Sequence, residues 1–217
     1  MIGAAARAAV GGRFIVFEGP EGAGKSTQLA RLVARLRASG LDPVVTREPG
    51  GTPAGDRIRG LLLDAGLRVD AATEFLLYAA ARAQHVAEVI GPALADGRIV
   101  VSDRFAAASL AYQGYGRGLD LDWIRDVNAR VTAGIVPDAI VLLDLDPSLG
   151  LARAAARGRP DRLEAAELAF HLKVRAGFRE LARAEPDRWH VFDATEPPAA
   201  LERRIWRSVA EALGLRP

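Results

Sequence analysis

Lysine occurs twice in this chain, at Lys25 and Lys173, against 27 arginines. Lys25 closes the octet Gly19-Pro20-Glu21-Gly22-Ala23-Gly24-Lys25-Ser26, which fits the phosphate-binding spacing G-x-x-x-x-G-K-[ST] without a gap. Backbone N–H groups of such a loop, and of the helix it opens, point at phosphate oxygens. A lysine there is a compact point charge that can reach the β- and γ-phosphates, a task for which the planar fork of arginine is no substitute. Ser26 offers a hydroxyl to Mg²⁺, which takes few protein ligands and prefers to sit on phosphates. The octet, with Thr27 after it, therefore predicts nucleotide binding.

Three further groups could do chemistry. Asp103-Arg104 sets a carboxylate beside a guanidinium, either near a metal or as an ordinary surface ion pair. Tyr78 and Arg82 are four apart, on one face of a helix. They could stack and hydrogen-bond a base, or pack two helices through a cation–π contact. Arg153, Arg157, Arg159 and Arg162 cluster around Gly158 and Pro160. They suit either an arginine-bearing flap that stabilises a transferring phosphoryl group or a solvated helix.

These residues need a frame. Phe14–Phe17 is an apolar run expected to be a buried strand feeding the loop. Leu29, Leu32, Val33 and Leu36 then recur at helical spacing through Lys25–Ser39, with Gly40 as the stop. Pro43–Thr46 reads as a second strand, Arg47–Pro53 as a loop and Asp56–Leu63 as a short helix. Ala71–Asp96 reads as one long helix, kinked or broken at Gly91-Pro92. Ile99–Val101 is a third strand ending at Ser102-Asp103-Arg104, with helices through about Thr132. Ala139–Leu143 is a fourth strand, Ala165–Ala184 a helix, Trp189–Phe192 a fifth strand and Ala199–Leu213 a closing helix. The expected fold is α/β: a five-stranded parallel sheet flanked by helices on both faces. Ligands of such sheets collect at the strands' carboxyl ends, where the loop, Arg47–Gly51 and Asp103-Arg104 all lie.

Composition narrows the alternatives. The 217 residues are 50% hydrophobic, enough for one core, so residues 13–217 are expected to form one domain with a lid at about 148–164. Met1–Gly12 is expected to be a tail rather than a signal peptide. Cysteine is absent, which fits a reducing cytoplasm. His85, His171 and His190 lack metal-ligand spacing and read as structural or surface residues. No apolar stretch reaches the roughly 20 residues of a membrane span. The formal charge is +2, the basic residues are scattered and 6% of the chain is aromatic. That pattern argues against a nucleic-acid partner.

The order of motifs is more specific than any one of them. Phe17–Ser26, Thr46-Arg47-Glu48-Pro49-Gly50-Gly51-Thr52, Tyr78–Arg82, Asp103-Arg104-Phe105, Ser109–Gly114 and Arg157–Glu164 occur in sequence. Together they resemble the bacterial thymidylate kinases across Arg13 to Leu213. The resemblance implies transfer of the ATP γ-phosphoryl to dTMP, with ATP and Mg²⁺ as cofactors and a homodimer as the assembly. It implies that Glu48, Arg59 and Arg104 line the acceptor's phosphate and sugar side. Tyr78 would stack on thymine, Arg82 would bond its O4 side, and Ser109 and Gln113 would reach its edge. Tyr112 would crowd a ribose 2′-hydroxyl. Gly19 to Thr27 and Arg153 would hold ATP, and Arg157 would be the lid arginine. Ser26, Asp103 and Glu164 would hold Mg²⁺, partly through water, and Lys25, Arg157, Arg104 and Asp103 would be the catalytic set. Two departures stand out: Tyr78 replaces the family's usual Phe, and the Met1–Gly12 extension has no counterpart in the pattern, whereas Glu21 in place of Arg in the loop matches family members whose catalytic arginine comes from the lid. Glu48-Pro49 is a candidate cis bond. The residues alone also admit a kinase for another nucleoside monophosphate, or a non-catalytic ATP-binding module.

Overall fold

Strand β1, Arg13–Glu18, is apolar on both faces, and Phe14, Ile15, Val16 and Phe17 are all essentially fully buried. Only a central strand covered on both sides reads this way. The computed structural model describes residues 12–156 and 161–215. In it β1 lies at the centre of a five-stranded sheet of order β2-β3-β1-β4-β5. The other strands are β2 (Val44–Arg47), β3 (Ile99–Asp103), β4 (Ala139–Asp144) and β5 (Trp189–Asp193), and every pairing is parallel. Register places Phe17 opposite Asp103, and Asp103 opposite Arg47. The carboxyl ends of three strands thus stop level with one another, directly under the glycine loop.

The helices are α1 (Lys25–Ala38), α2 (Pro53–Leu63), α3 (Ala71–His85), α4 (Gly91–Ala95), α5 (Ala106–Ser109), α6 (Leu121–Val131), α7 (Pro147–Ala155), α8 (Leu168–Ala184) and α9 (Pro198–Ala212). Alternation along β1 divides the core. Ile15 and Phe17 join Leu32 and Leu36 of α1 and Ile205 and Val209 of α9 on one face. Phe14 and Val16 join Val86, Ile90 and Phe105 on the other. A third cluster packs Ile140 and Trp189 against Phe170, Val174 and Phe178 of α8. Each fully buried large side chain is worth about 1.5–3 kcal/mol, so these clusters hold the sheet between its helices.

Several boundaries differ from expectation for identifiable reasons. Helix α2 starts at Pro53, earlier than the expected Asp56. Thr52 caps it by accepting from the Gly55 N–H at 3.0 Å, and Pro53 fits the first turn, where its missing N–H costs nothing. The expected interruption at Gly91-Pro92 takes the form of a π turn over Val86–Ile90, after which the helix resumes as α4. A second π segment, Leu110–Gly116, continues α5. Helix α8 begins at Leu168, three residues later than expected. Most of the expected tail, Met1 to residue 11, lies outside the described residues, as do Arg157, Gly158, Arg159 and Pro160 of the expected lid.

Candidate active site

The glycine loop is shaped by close backbone approaches. A Cβ on Gly19 (φ 138°) would stand 2.4 Å from the Leu143 carbonyl oxygen, and one on Gly22 (φ 68°) 2.1 Å from that of Gly150. No side chain fits either position. Helix α1 starts at Lys25, so its N-terminus faces the loop's hollow. Lys25 is 8% exposed, and its ammonium donates to the Gly19 and Pro20 carbonyls at 3.0 and 2.9 Å. Burial, then Arg104, lower its pKa, against the pull of Glu21, Asp103 and Glu18. Ser26 Oγ donates to Asp103 Oδ2 at 3.0 Å, bringing two hard oxygen ligands together at the mouth of the cradle.

The cradle opens into a cleft of about 260 Å³ that includes Glu21 to Thr27, Arg47, Glu48, Arg59, Asp103 and Arg104. A second cleft, of about 90 Å³, is walled by Tyr78, Ser109, Tyr112, Gln113, Asp161 and Leu163 together with Glu21, Glu48, Arg59 and Arg104. The last four line both. Two acids and two arginines therefore form the partition at which the clefts meet.

Arg104 is the most constrained of them. Its φ of 74° is unusual for a residue with a Cβ. The surroundings enforce it: its N–H donates to Phe17 O at 2.9 Å and its carbonyl accepts from Ser102 Oγ at 2.8 Å. The guanidinium lies 4.8 Å from the Tyr112 ring centre and donates to Gly19 O at 3.1 Å, Glu21 Oε1 at 2.6 Å and Tyr112 Oη at 2.9 Å. Tyr112 in turn donates to Glu21 Oε1 at 2.8 Å. Burial alone would raise the Glu21 carboxyl, but Arg104, Lys25 and the Tyr112 hydroxyl outweigh it and hold the group at about 2. Burial pushes the Tyr78 hydroxyl up, so it stays protonated. This wall carries fixed charge at neutral pH.

The other candidate residues fall into place as follows. Arg59 donates to Pro49 O at 3.0 Å, across a loop whose Glu48-Pro49 bond is cis. Arg82 is 1% exposed and stands behind the smaller cleft, outside its lining. It donates to Glu48 Oε2 (2.8 Å), Ser109 Oγ (3.1 Å), Asn128 Oδ1 (2.7 Å) and Phe105 O (3.1 Å), engaging four of its five N–H donors. Glu48 also meets His85 Nδ1 at 3.2 Å, so this histidine is structural, as expected. Arg153 donates to Ala194 O at 3.3 Å, beside the end of β5. Glu164 is not on the Ser26–Asp103 cleft; its Oε2 accepts from the Asp161 N–H at 3.1 Å. Among the described residues no group of three His, Cys, Asp or Glu side chains could hold a metal. Arg157 lies outside the described residues.

Three functional positions went unread in the sequence. Glu74 is fully buried, accepting from Gln113 at 2.9 Å, Arg117 at 3.2 Å and Arg162 at 2.5 Å. It ties the segment after the expected lid arginine to the cleft wall, and its place four before Tyr78 was the available signal. Asn128 holds Arg82. Glu18, fully buried at the end of β1, accepts from the Phe105 N–H at 3.0 Å. Burial raises its carboxyl to about 7, against Arg104, that N–H bond and Lys25.

Comparison with known proteins agrees with this geometry. A sequence model of the thymidylate kinase family matches residues 17–205. The chain is 60% identical over 200 residues to a thymidylate kinase of Deinococcus radiodurans, covering 92% of this chain and 97% of that protein. It is 50% identical over 210 residues to one of Solidesulfovibrio magneticus, covering 92% and 100%. The crystal structure of a thymidylate kinase from Ehrlichia chaffeensis superposes with a TM-score of 0.75 at 32% identity, over 92% of this chain and 99% of that one. The P-loop, its two-cleft partition and these relatives agree, and the chain belongs to the thymidylate kinase family.

Proposed function

We propose that this protein transfers the γ-phosphoryl of ATP to dTMP, giving dTDP and ADP. The observation that carries the reading is the shared partition: Glu21, Glu48, Arg59 and Arg104 border both the phosphate cradle and the second cleft. A group passing between two bound nucleotides crosses there. An oxygen of the dTMP phosphate attacks the γ-phosphorus, the bond from that phosphorus to the β-bridging oxygen breaks, and the electron pair leaves with ADP. Both partners are anions, so the protein's task is to hold mutually repelling phosphates in line and neutralise them. Lys25 meets the donor phosphates, Arg104 faces both nucleotides, and Arg157 is assigned to the transferring group from its motif. The acceptor phosphate is already a nucleophile, and the scheme needs no general base.

Tyr78 and Leu163 supply flat and apolar surface for the base, with Ser109 and Gln113 at its edge and Arg82 behind them. Tyr112 closes the sugar side, and Arg153 is assigned to the donor nucleotide. Mg²⁺ is assigned to Ser26 and Asp103, whose oxygens meet at the mouth of the cradle; Glu164, which is off that cleft, could act on the ion only through water. When bound, the ion neutralises the β- and γ-phosphates. Residues 13–217 are read as one kinase domain with a lid at about 148–164, acting in the cytoplasm. Among the described residues no helix is long and apolar enough to cross a membrane. Exposed Leu61 of α2 and Leu76 of α3 support a homodimer formed on that helical face.

The test is ADP release measured across dTMP, dUMP, dCMP and GMP. dTMP is expected to give the highest kcat/KM. A thymine methyl is worth about 1–3 kcal/mol in a pocket, so dUMP should trail by about tenfold or more. Equal rates would reject thymine selectivity, and ATP binding without monophosphate-dependent turnover would reject a kinase.

A further inference from the structure

Glu74 is fully buried in α3, and its two oxygens serve three side chains. Oε2 accepts from Arg117 Nη2 at 3.2 Å and from Arg162 Nη1 at 2.5 Å. Oε1 accepts from Arg117 Nε at 3.3 Å and from Gln113 Nε2 at 2.9 Å. Two arginines already compensate a buried carboxylate, so the bond to Gln113 is the part that an ion pair does not require. Gln113 is 1% exposed and borders the acceptor cleft. A carboxylate only accepts, so it takes the –NH₂ end of the amide and repels the carbonyl end. Glu74 therefore decides which way that amide points. Among the described residues nothing donates to Gln113 Oε1, yet it is not a sealed-off orphan, which leaves the cleft as its outlet. The neighbouring hydroxyl is set in a similar manner. Ser109 Oγ accepts from Arg82 Nη1 at 3.1 Å, so its own proton is left for another acceptor. The edge of the cleft thus offers a donor beside an acceptor. A 4-oxopyrimidine presents the complement, O4 beside N3–H, whereas cytosine reverses both groups.

We propose that Glu74 is a positioning residue for base selection: it holds the Gln113 carbonyl toward the cleft, so that the site takes a 4-oxopyrimidine monophosphate and rejects a 4-aminopyrimidine one. The inference rests on the proposed transfer to dTMP and adds what chooses the base. Glu74 borders neither substrate cleft and acts through Gln113. With the amide reversed, the Gln113 carbonyl oxygen would meet the Glu74 carboxylate in a buried setting, and repulsion would replace a hydrogen bond. The carboxylate cannot swing aside to relieve this. Arg162 Nε donates to Leu62 O of α2 at 2.9 Å, and Arg117 lies 4.4 Å from the ring centre of Phe170 in α8. Both arginines that grip Glu74 are therefore anchored elsewhere, and the choice of base is held by α2, α3 and α8 together.

The experiment measures ADP release from the full chain with dTMP and with dCMP, in wild type, Glu74→Gln and Glu74→Asp, alongside the Tm of each. In Glu74→Gln the new amide oxygen is drawn to the two arginines and its –NH₂ is left facing Gln113. The Gln113 amide then turns its carbonyl to that –NH₂ and its own –NH₂ to the cleft, where it matches N3 of cytosine. The ratio of kcat/KM for dTMP to that for dCMP is expected to fall by about tenfold or more, with kcat/KM for dCMP itself rising by at least about threefold. A purely structural carboxylate gives no such gain. Should Glu74→Gln fail to fold, Glu74→Asp keeps the charge for the arginines while drawing back from Gln113, and should lower the ratio by about threefold or more. A wild-type ratio in the folded variants, with both rates falling together as Tm falls, would overturn the role of Glu74 and leave the dTMP reading standing. A wild type that shows no preference for dTMP over dCMP would instead reject the proposed function, and this inference with it.

Discussion

Lys25 reaches across its own loop to the Gly19 and Pro20 carbonyls, which holds the ammonium at the centre of the phosphate cradle. In the proposed transfer its role is to meet charge that moves, not to anchor the acceptor. Lys25→Ala is therefore expected to lower kcat by about 10²-fold or more while the dTMP dissociation constant changes by less than about threefold. Arg157→Ala should behave alike, with about a 10³-fold loss if it serves as the finger. Steady-state rates with calorimetric dTMP titrations check both, and near-normal turnover in either variant removes that residue from the mechanism. Glu18 makes a different prediction. Its folded carboxyl sits at about 7 against an ordinary 4.5, with burial as the main cause. Between those values the folded chain keeps a proton that the unfolded chain has released. Stability from this group is therefore fully present below about pH 4.5 and falls as pH rises through 7. The shift corresponds to about 3 kcal/mol. Relative to wild type, Glu18→Gln should gain by up to that amount between pH 5 and 8 in chemical denaturation, and a difference independent of pH would contradict the raised carboxyl.

At the scale of elements, the acceptor cleft is built by helices that meet through polar bonds in a buried setting. Asn128 of α6 accepts from Arg82 of α3 at 2.7 Å and donates to Ala106 O of α5 at 3.2 Å, joining three helices at one amide. Asn128→Ala leaves a buried guanidinium N–H and a carbonyl without that partner, which costs about 1–3 kcal/mol. A lower Tm and a dTMP KM raised about fivefold, with the ATP KM unchanged, are expected; an equal rise in both KM values would show a global effect instead. The same helices mark what a sequence discloses. The order of strands and helices was readable because each element's hydrophobic period reports which face is buried. Boundaries slipped where chemistry outweighed period: Pro53 looked like loop yet is the first residue of α2, and Gly91-Pro92 is absorbed by a π turn. The loop lysine and its serine were legible because their spacing alone dictates their neighbours. Glu74 and Asn128 were not, because a polar residue on an amphipathic helix looks solvated until the facing element is known. Arg82 shows the same limit from the other side: its spacing from Tyr78 suggested a base reader, and the structure places it behind the cleft wall as the tie between α3, α5 and α6.

The whole molecule presents a further question, which is what covers α2 and α3. Leu61 and Leu76 are each 50% exposed, on adjacent helices that both supply residues to the acceptor cleft, Arg59 and Leu63 from α2 and Tyr78 from α3. Isolated exposed leucines are ordinary on a protein surface. Two on neighbouring helices fit a face that meets a second copy. If it does, association and acceptor binding are linked, because burying α2 and α3 restricts the helices that carry Arg59 and Tyr78. Leu76→Glu places a charge where the twofold-related copy would bury it, and should convert a dimer to a monomer in light scattering at micromolar concentration. The monomer should retain its fold by circular dichroism while its dTMP KM rises by at least about threefold. A wild-type chain that elutes as a monomer, or a Leu76→Glu chain that stays dimeric, would move the interface away from this face and leave the acceptor cleft independent of assembly.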